Sequence, residues 1–217
     1  MVKDCQLKIL YLESIDSTQK HLKKLLIEKK AYVPYAVIAN MQTSGVGSRD
    51  NSWTGINGNL FLSFAISLDS LPLDLKLESA SIYFSYLLKE VLNEHDSLVW
   101  LKWPNDFYID NMKIGGMITN ISGDNLVCGV GLNLVDSPKE FTSLDIKISK
   151  EILLREYLNL IEKRVSWKQV FSKYKIEFGR NQNFFTHNNS LKISLAKAIL
   201  QSDGSIIING KRIYSTR

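Results

Sequence analysis

The sequence predicts an α+β fold, a central mixed or antiparallel sheet flanked by helices, and three observations predict it. Strand-like segments follow one another through the middle third with only short turns between them. Helical segments stand apart from those strands instead of alternating with each one, which argues against a doubly wound parallel sheet. Beyond about residue 186 the chain changes to short apolar runs joined by Ser-Asp-Gly and Asn-Gly turns. A small C-terminal β subdomain, 187–217, is therefore expected after a main domain of 1–186.

Gln6–Leu12 alternates well enough for a strand. Asp16 and Ser17 then supply N-cap side chains for a helix reaching about Lys30, with Leu22, Leu25 and Leu26 on one face. Ala36–Met41 is a short apolar strand, and Gln42–Ser52 is a polar, glycine-bearing loop. In Asn59–Ser67, the residues Leu60, Leu62, Phe64 and Ile66 fall on one face. A helix is expected from about Glu78 to Asn93, turning Ile82, Tyr83, Tyr86, Leu87 and Val91 inward. Leu98–Trp103 is a strand ending in a Pro-Asn-Asp turn, and Phe107–Ile109 and Lys113–Ile121 form a hairpin about Asp110-Asn111. Leu126–Leu134 returns after a second turn. Helices follow over Lys150–Val165 and Trp167–Phe178, then strands over Leu191–Leu200, Ile206–Ile208 and Ile213–Tyr214.

Of 217 residues, 45% are hydrophobic and 23% charged, enough apolar surface to fold without staples. This excludes a disordered tail, a collagen-like rod and a disulfide mini-protein. The apolar runs are too short for a membrane span. Residues 1–20 carry Lys3, Asp4, Lys8, Glu13 and Asp16, so no signal peptide is expected. Cys5 and Cys128 lack metal-ligand spacing, and two thiols in a cytoplasmic chain are the simpler account. The net charge of +5 admits nucleic acid, an acidic protein or a phosphate-bearing ligand without selecting among them.

The common phosphate, dinucleotide, nucleophile-elbow and zinc-protease signatures are absent. His21, His95 and His187 lie apart and read as surface imidazoles. Four constellations remain. Asp16-Ser17-Thr18-Gln19 opens a helix, where hydroxyls and free N–H groups cap the helix and can also bind a polar ligand head. Gln42 leads into Gly45-Val46-Gly47-Ser48-Arg49 and Trp53, a loop whose glycines allow close backbone approach to an anion. Lys102-Trp103-Pro104-Asn105-Asp106 sets a lysine, an amide and a carboxylate around a rigid turn, and Lys113 follows with Gly115-Gly116. There Asp106 can orient Lys113 across the hairpin. Gly129-x-Gly131-x-Asn133 leaves room beside a strand for something flat, or marks a bulge.

In this order the four resemble biotin–protein ligases over about residues 10–135. The family pattern is Asp-Ser-Thr-Asn, a Gln before G-R-G-R-x-x-x-W, then K-W-P-N-D, K-x-x-G and G-x-G-x-N. The matches are Asp16-Ser17-Thr18, Gln42, Gly45, Gly47, Trp53, Lys102 to Asp106, Lys113, Gly116 and Gly129-x-Gly131-x-Asn133. The resemblance implies a class II synthetase-like catalytic fold with an SH3-like C-terminal subdomain. It also implies a two-step reaction. Biotin and ATP are the substrates and give biotinyl-5′-AMP and pyrophosphate, and a lysine of a biotin carboxyl carrier protein then takes the biotinyl group. Lys102, Lys113 and Asp106 would be catalytic. Ser17, Thr18, Gln19, Gln42, Gly45, Val46, Gly47, Ser48, Lys102 and Gly116 would hold biotin. Arg49, Trp53, Asn105, Lys113 and Asn133 would hold ATP and the adenylate, and Mg²⁺ is expected, with Asp106 as its ligand.

The sequence departs from the pattern at the loop arginines, replaced by Val46 and Ser48, and at Gln19, which stands for the usual Asn. A less tightly retained adenylate and weaker biotin binding are the expectation. The first strand begins too early for an N-terminal winged helix, so no DNA binding is expected, while exposed strands in the central sheet leave a homodimer open. The competing readings are a lipoate or octanoate ligase of the same fold and a biotin sensor without catalysis.

Overall fold

The structure, a computed structural model, describes residues 7–47, 52–53, 55–188 and 191–215. Along these residues lie β1 (Lys8–Ile15), α1 (Thr18–Ile27), β2 (Tyr35–Gln42), β3 (Gly45–Val46), β4 (Ser52–Trp53) and β5 (Leu60–Ser67). Then come α2 (Ala80–Glu94), β6 (Trp100–Lys102), β7 (Asp106–Ile109), β8 (Met112–Ser122) and β9 (Asn125–Leu132). Next are α3 (Lys150–Glu162) and α4 (Trp167–Glu177). The strands β10 (Phe185–Asn188), β11 (Leu191–Ser194), β12 (Ile199–Leu200), β13 (Ile206–Ile208) and β14 (Lys211–Ile213) complete the order. The main sheet runs β1-β2-β5-β9-β8-β7-β6. It is mixed: β1 and β2 are parallel, and the pairs β2–β5, β5–β9, β8–β9 and β6–β7 are antiparallel. The expected α+β class, with small strands at the C-terminal end, is the class observed. No helix among the described residues is long and apolar enough to cross a membrane.

The chain divides into two compact units. The first holds residues up to Leu71 and Ile114–Lys147. Here α1 makes the crossover between two parallel strands, which a hairpin cannot do. Leu22 packs with Val37, Ala65 and Val127, and Leu25 and Leu26 lie against that cluster. The helix stops at Glu28 and not near Lys30, because Lys29 enters the left-handed region (φ 55°) and the Glu28, Lys29 and Lys30 N–H groups fold back on the last turn. The strand β5 carries more than the one apolar face expected of it. Phe61, Ser63 and Ala65 are as buried as Leu60, Leu62 and Phe64, so this strand is covered on both faces. Alternation cannot identify such a strand, because it reads as a continuous apolar run. Nor is Gln42–Ser52 simply a loop: Gly45 pairs with Trp53 and Val46 with Ser52.

The second unit holds Pro72–Lys113 and the residues from Ile148 onward. A 3-10 turn, Leu77–Ser79, occupies the start expected for α2, which is then buried on nearly every side. Ser149 caps α3. The Ser166–Gln169 capping box opens α4, whose first two N–H groups are also received by the Asp74 carboxylate. The expected strand Leu191–Leu200 is two strands. Leu195 N–H bonds to Phe184 and Ala198 N–H to Leu195, a turn that sends β11 to β10 and β12 to β13.

Candidate active site

In the first unit a neutral polar nest forms where α1 begins. Ser17 caps the helix, its hydroxyl accepting from Lys20 N at 3.4 Å. Thr18 donates to Gln42 Oε1 twice, from its backbone N at 2.8 Å and from its hydroxyl at 3.0 Å. The Thr18 hydroxyl also shares a hydrogen bond with Ser63 Oγ at 2.9 Å. Gln19 donates through Nε2 to Asn120 Oδ1 at 3.2 Å and to Val127 O at 3.3 Å. Its Oε1 is buried with no hydrogen-bond partner. An acceptor in that state costs free energy until a donor reaches it.

The glycines of β9 receive this nest and the aromatic beside it. A Cβ on Gly129 would stand 2.5 Å from Gln19 Oε1, and one on Gly131 would stand 2.7 Å from Trp53 Nε1. Residues two apart share a strand face, so one face of β9 carries both the Gln19 amide and the Trp53 indole. Trp53 also meets Phe141 edge-on at 6.1 Å. Gly116 is the register partner of Gly131. Asn133 is buried; it donates to Thr142 O at 3.2 Å and accepts from Asn59 Nδ2 at 3.3 Å. Asn59 in turn accepts from the backbone N–H groups of Leu134, Val135 and Asp136. Together the two amides hold the chain that follows β9. Gly45 is buried, Val46 is exposed and Gly47 is intermediate. Ser48 and Arg49 lie outside the described residues.

In the second unit a charged cluster forms on the β6–β7–β8 turns. Lys102 and Asp106 are register partners, and Lys102 Nζ lies 3.3 Å from Asp106 Oδ2. Lys113 Nζ lies 2.7 Å from Asp106 Oδ1, the contact expected across the hairpin. Two ammonium groups share one carboxylate in part-buried surroundings, where Coulomb interactions exceed those in water. Lys102 Nζ also sits 5.5 Å from the centroid of the Tyr108 ring. Burial first, and then the Asp106 charge, push the Tyr108 hydroxyl up, so it stays protonated. Asn105 is buried, and Trp103 is fully buried. β8 then carries the chain from Lys113 to Gly116 three residues on.

Both oxygens of Asp106, the residue expected to hold Mg²⁺, lie on ammonium nitrogens, and among the described residues there is no group of three His, Cys, Asp or Glu that could hold a metal. The two ammonium groups suit a phosphate. Burial pushes the Cys128 thiol up, and it is a free cysteine. Ser63, Asn120 and Asn59 are site residues that sequence reasoning missed. Ser63 had a signal, a lone hydroxyl inside an otherwise apolar strand; Asn120 and Asn59 had none.

Residues 11–133 match the family described as Biotin/lipoate A/B protein ligase family. The Bifunctional ligase/repressor BirA of Escherichia coli (strain K12) is 31% identical over 130 residues, 57% of this chain and 39% of that protein. The chain thus spans well under two thirds of that relative. The solved Biotin Acetyl Coenzyme A Carboxylase Synthetase from Helicobacter pylori with bound Biotinylated ATP is 38% identical. It superposes with a TM-score of 0.93 over 96% of this chain and 100% of that one. The Biotin protein ligase from Aquifex aeolicus in complex with biotin and ATP has a TM-score of 0.77 at 22% identity, over 95% of this chain and 94% of that one, a likeness of fold.

Proposed function

Because the chain belongs to the biotin/lipoate A/B protein ligase family, we propose that it is an ATP-dependent ligase that activates biotin as biotinyl-5′-AMP. In a second step it transfers the biotinyl group to a lysine of a biotin carboxyl carrier protein. The observation that carries this reading is the ammonium pair Lys102 and Lys113, held on the two oxygens of Asp106. Attack of a carboxylate on the α-phosphorus of ATP brings two anions together, and charge develops on the phosphate as pyrophosphate leaves. A lysine about 4 Å from developing charge lowers the barrier by roughly 4 kcal/mol at an effective dielectric of 20. That is about a thousandfold in rate. Asp106 keeps both cations in place before substrate arrives, so little reorganisation is needed during reaction.

The polar nest of the first unit suits a ureido ring. A ureido ring brings two N–H donors and one carbonyl, and the buried Gln19 Oε1 needs a donor. Ser17, Thr18, Gln19 and Gln42 take the ring in this reading, with Gly45, Val46, Gly47, Ser48 and Gly116 alongside. Trp53, Arg49, Asn105 and Asn133 serve the adenylate, Asn133 by holding the chain after β9. A cytoplasmic location completes the reading.

ATP–pyrophosphate exchange tests it, run with biotin, lipoate, octanoate or no acid, on the wild type and Lys113→Ala. Exchange that needs biotin and is lost in the variant is the expected result. Exchange driven by lipoate or octanoate moves the substrate to another acid of the same family. Biotin binding without exchange makes the protein a sensor.

A further inference from the structure

The strand that bears Lys102 is three residues long, stands last in the sheet order and pairs with β7. Along an antiparallel pair, N–H groups point alternately toward the partner strand and away from it. The N–H group that follows Lys102 is received from another element: Asn181 Oδ1 accepts from Trp103 N at 2.7 Å. That acceptor comes from the 3-10 helix Phe178–Asn183, which continues α4.

The anchor is itself held. Asn181 is 1% exposed, and its Nδ2 donates to Phe178 O at 3.0 Å, so the amide cannot turn without losing bonds at both ends. Trp103 is pinned a second time, its indole donating to Gly204 O at 2.8 Å. Asp106 aims the ammonium group of Lys102, but aim alone does not place it: the backbone from which it projects must also be still.

We infer that Asn181 is a positioning residue that fixes the backbone beside Lys102, at Trp103, and so places its ammonium group for the reaction. This rests on the adenylation reading above. A residue that only satisfied a buried N–H would cost stability. A positioning residue costs rate, and does so through Lys102.

The experiment is a kinetic cycle of Asn181→Ala, Lys102→Ala and the double variant in ATP–pyrophosphate exchange, with kcat and the biotin KM read separately. Asn181→Ala is expected to lower kcat about 10- to 100-fold with the biotin KM changed less than about threefold. Added to Lys102→Ala, it is expected to change kcat by less than about twofold, because the two act as one unit. An equal loss in both backgrounds makes Asn181 merely structural and overturns the inference. A second measurement uses only the wild type: the Trp103 amide is expected to exchange hydrogen as slowly as the amides of β5. Exchange at the rate of an open edge strand overturns the inference whether or not the variants fold. Normal biotin-dependent exchange with additive variants sinks this inference alone, whereas no exchange with any acid removes the adenylation reading as well.

Discussion

Around Thr18 the side chains of Ser17, Gln19, Gln42 and Ser63 are neutral and almost wholly buried, each built into the fold by a hydrogen bond. Around Asp106 the side chains of Lys102 and Lys113 are charged, and all three keep part of their surface in water. The difference follows from solvation. A hydroxyl or amide can be buried once it is hydrogen-bonded, and burial then makes its geometry selective. A buried ion loses more in desolvation than one partner returns, so a charged cluster stays near solvent and relies on pairing for its geometry. The neutral region is thus suited to recognition and the charged one to chemistry, and variants in the two should fail in different ways.

The largest effect is expected at Lys113. Lys113→Ala should lower the rate of biotin-dependent exchange about a thousandfold, roughly 4 kcal/mol, while the biotin dissociation constant in calorimetry moves little. A comparable loss of affinity would break the division between the regions. Gly129→Ala comes next: its Cβ would meet Gln19 Oε1 at 2.5 Å, so the amide must leave its place over β9. A stability loss of about 1–3 kcal/mol in urea unfolding is expected, with weaker biotin binding and kcat largely kept. Thr18→Val removes the hydroxyl shared by Gln42 and Ser63, at about 1–2 kcal/mol. Biotin affinity should fall about tenfold if that cost appears in binding.

The smallest effect sharpens the contrast by pH. Burial raises the Glu177 carboxyl above its ordinary 4.5, against Lys89 and the Leu101 hydrogen bond, which lower it. The folded protein therefore keeps this proton to a higher pH than the unfolded chain does. The contribution of Glu177 to stability is present below about 4.5 and is lost as pH rises through the folded value. Urea unfolding from pH 4.5 upward should show that decline in the wild type, and Glu177→Gln should remove it.

Much of the candidate site was legible because it is local. KWPND, the helix cap at Ser17 and the pairing of Asp106 with Lys113 each lie within a few residues, where turn chemistry and hairpin register decide the geometry. The α+β class was legible for the same reason, since strand and helix periodicities show within each segment. The two-sided burial of β5 was not, because alternation reports one covered face and says nothing of a second cover. The break within 191–200 was missed because no Gly or Pro marks it and the apolar residues Leu195, Ala196 and Ala198 continue through it.

By itself the sequence determined which side chains were available, where helices could start and that a lysine, an amide and a carboxylate share one turn. Only the tertiary structure decided which strand lies under Gln19, which glycine faces Trp53 and which amide holds Trp103. Gln19 and Asn120 are 101 residues apart, and Asn181 and Trp103 are 78 apart. Local propensity acts over the span of a turn and cannot choose among partners at such distances. That choice belongs to the packing of the core, which selects the arrangement that leaves the fewest buried polar groups unpaired.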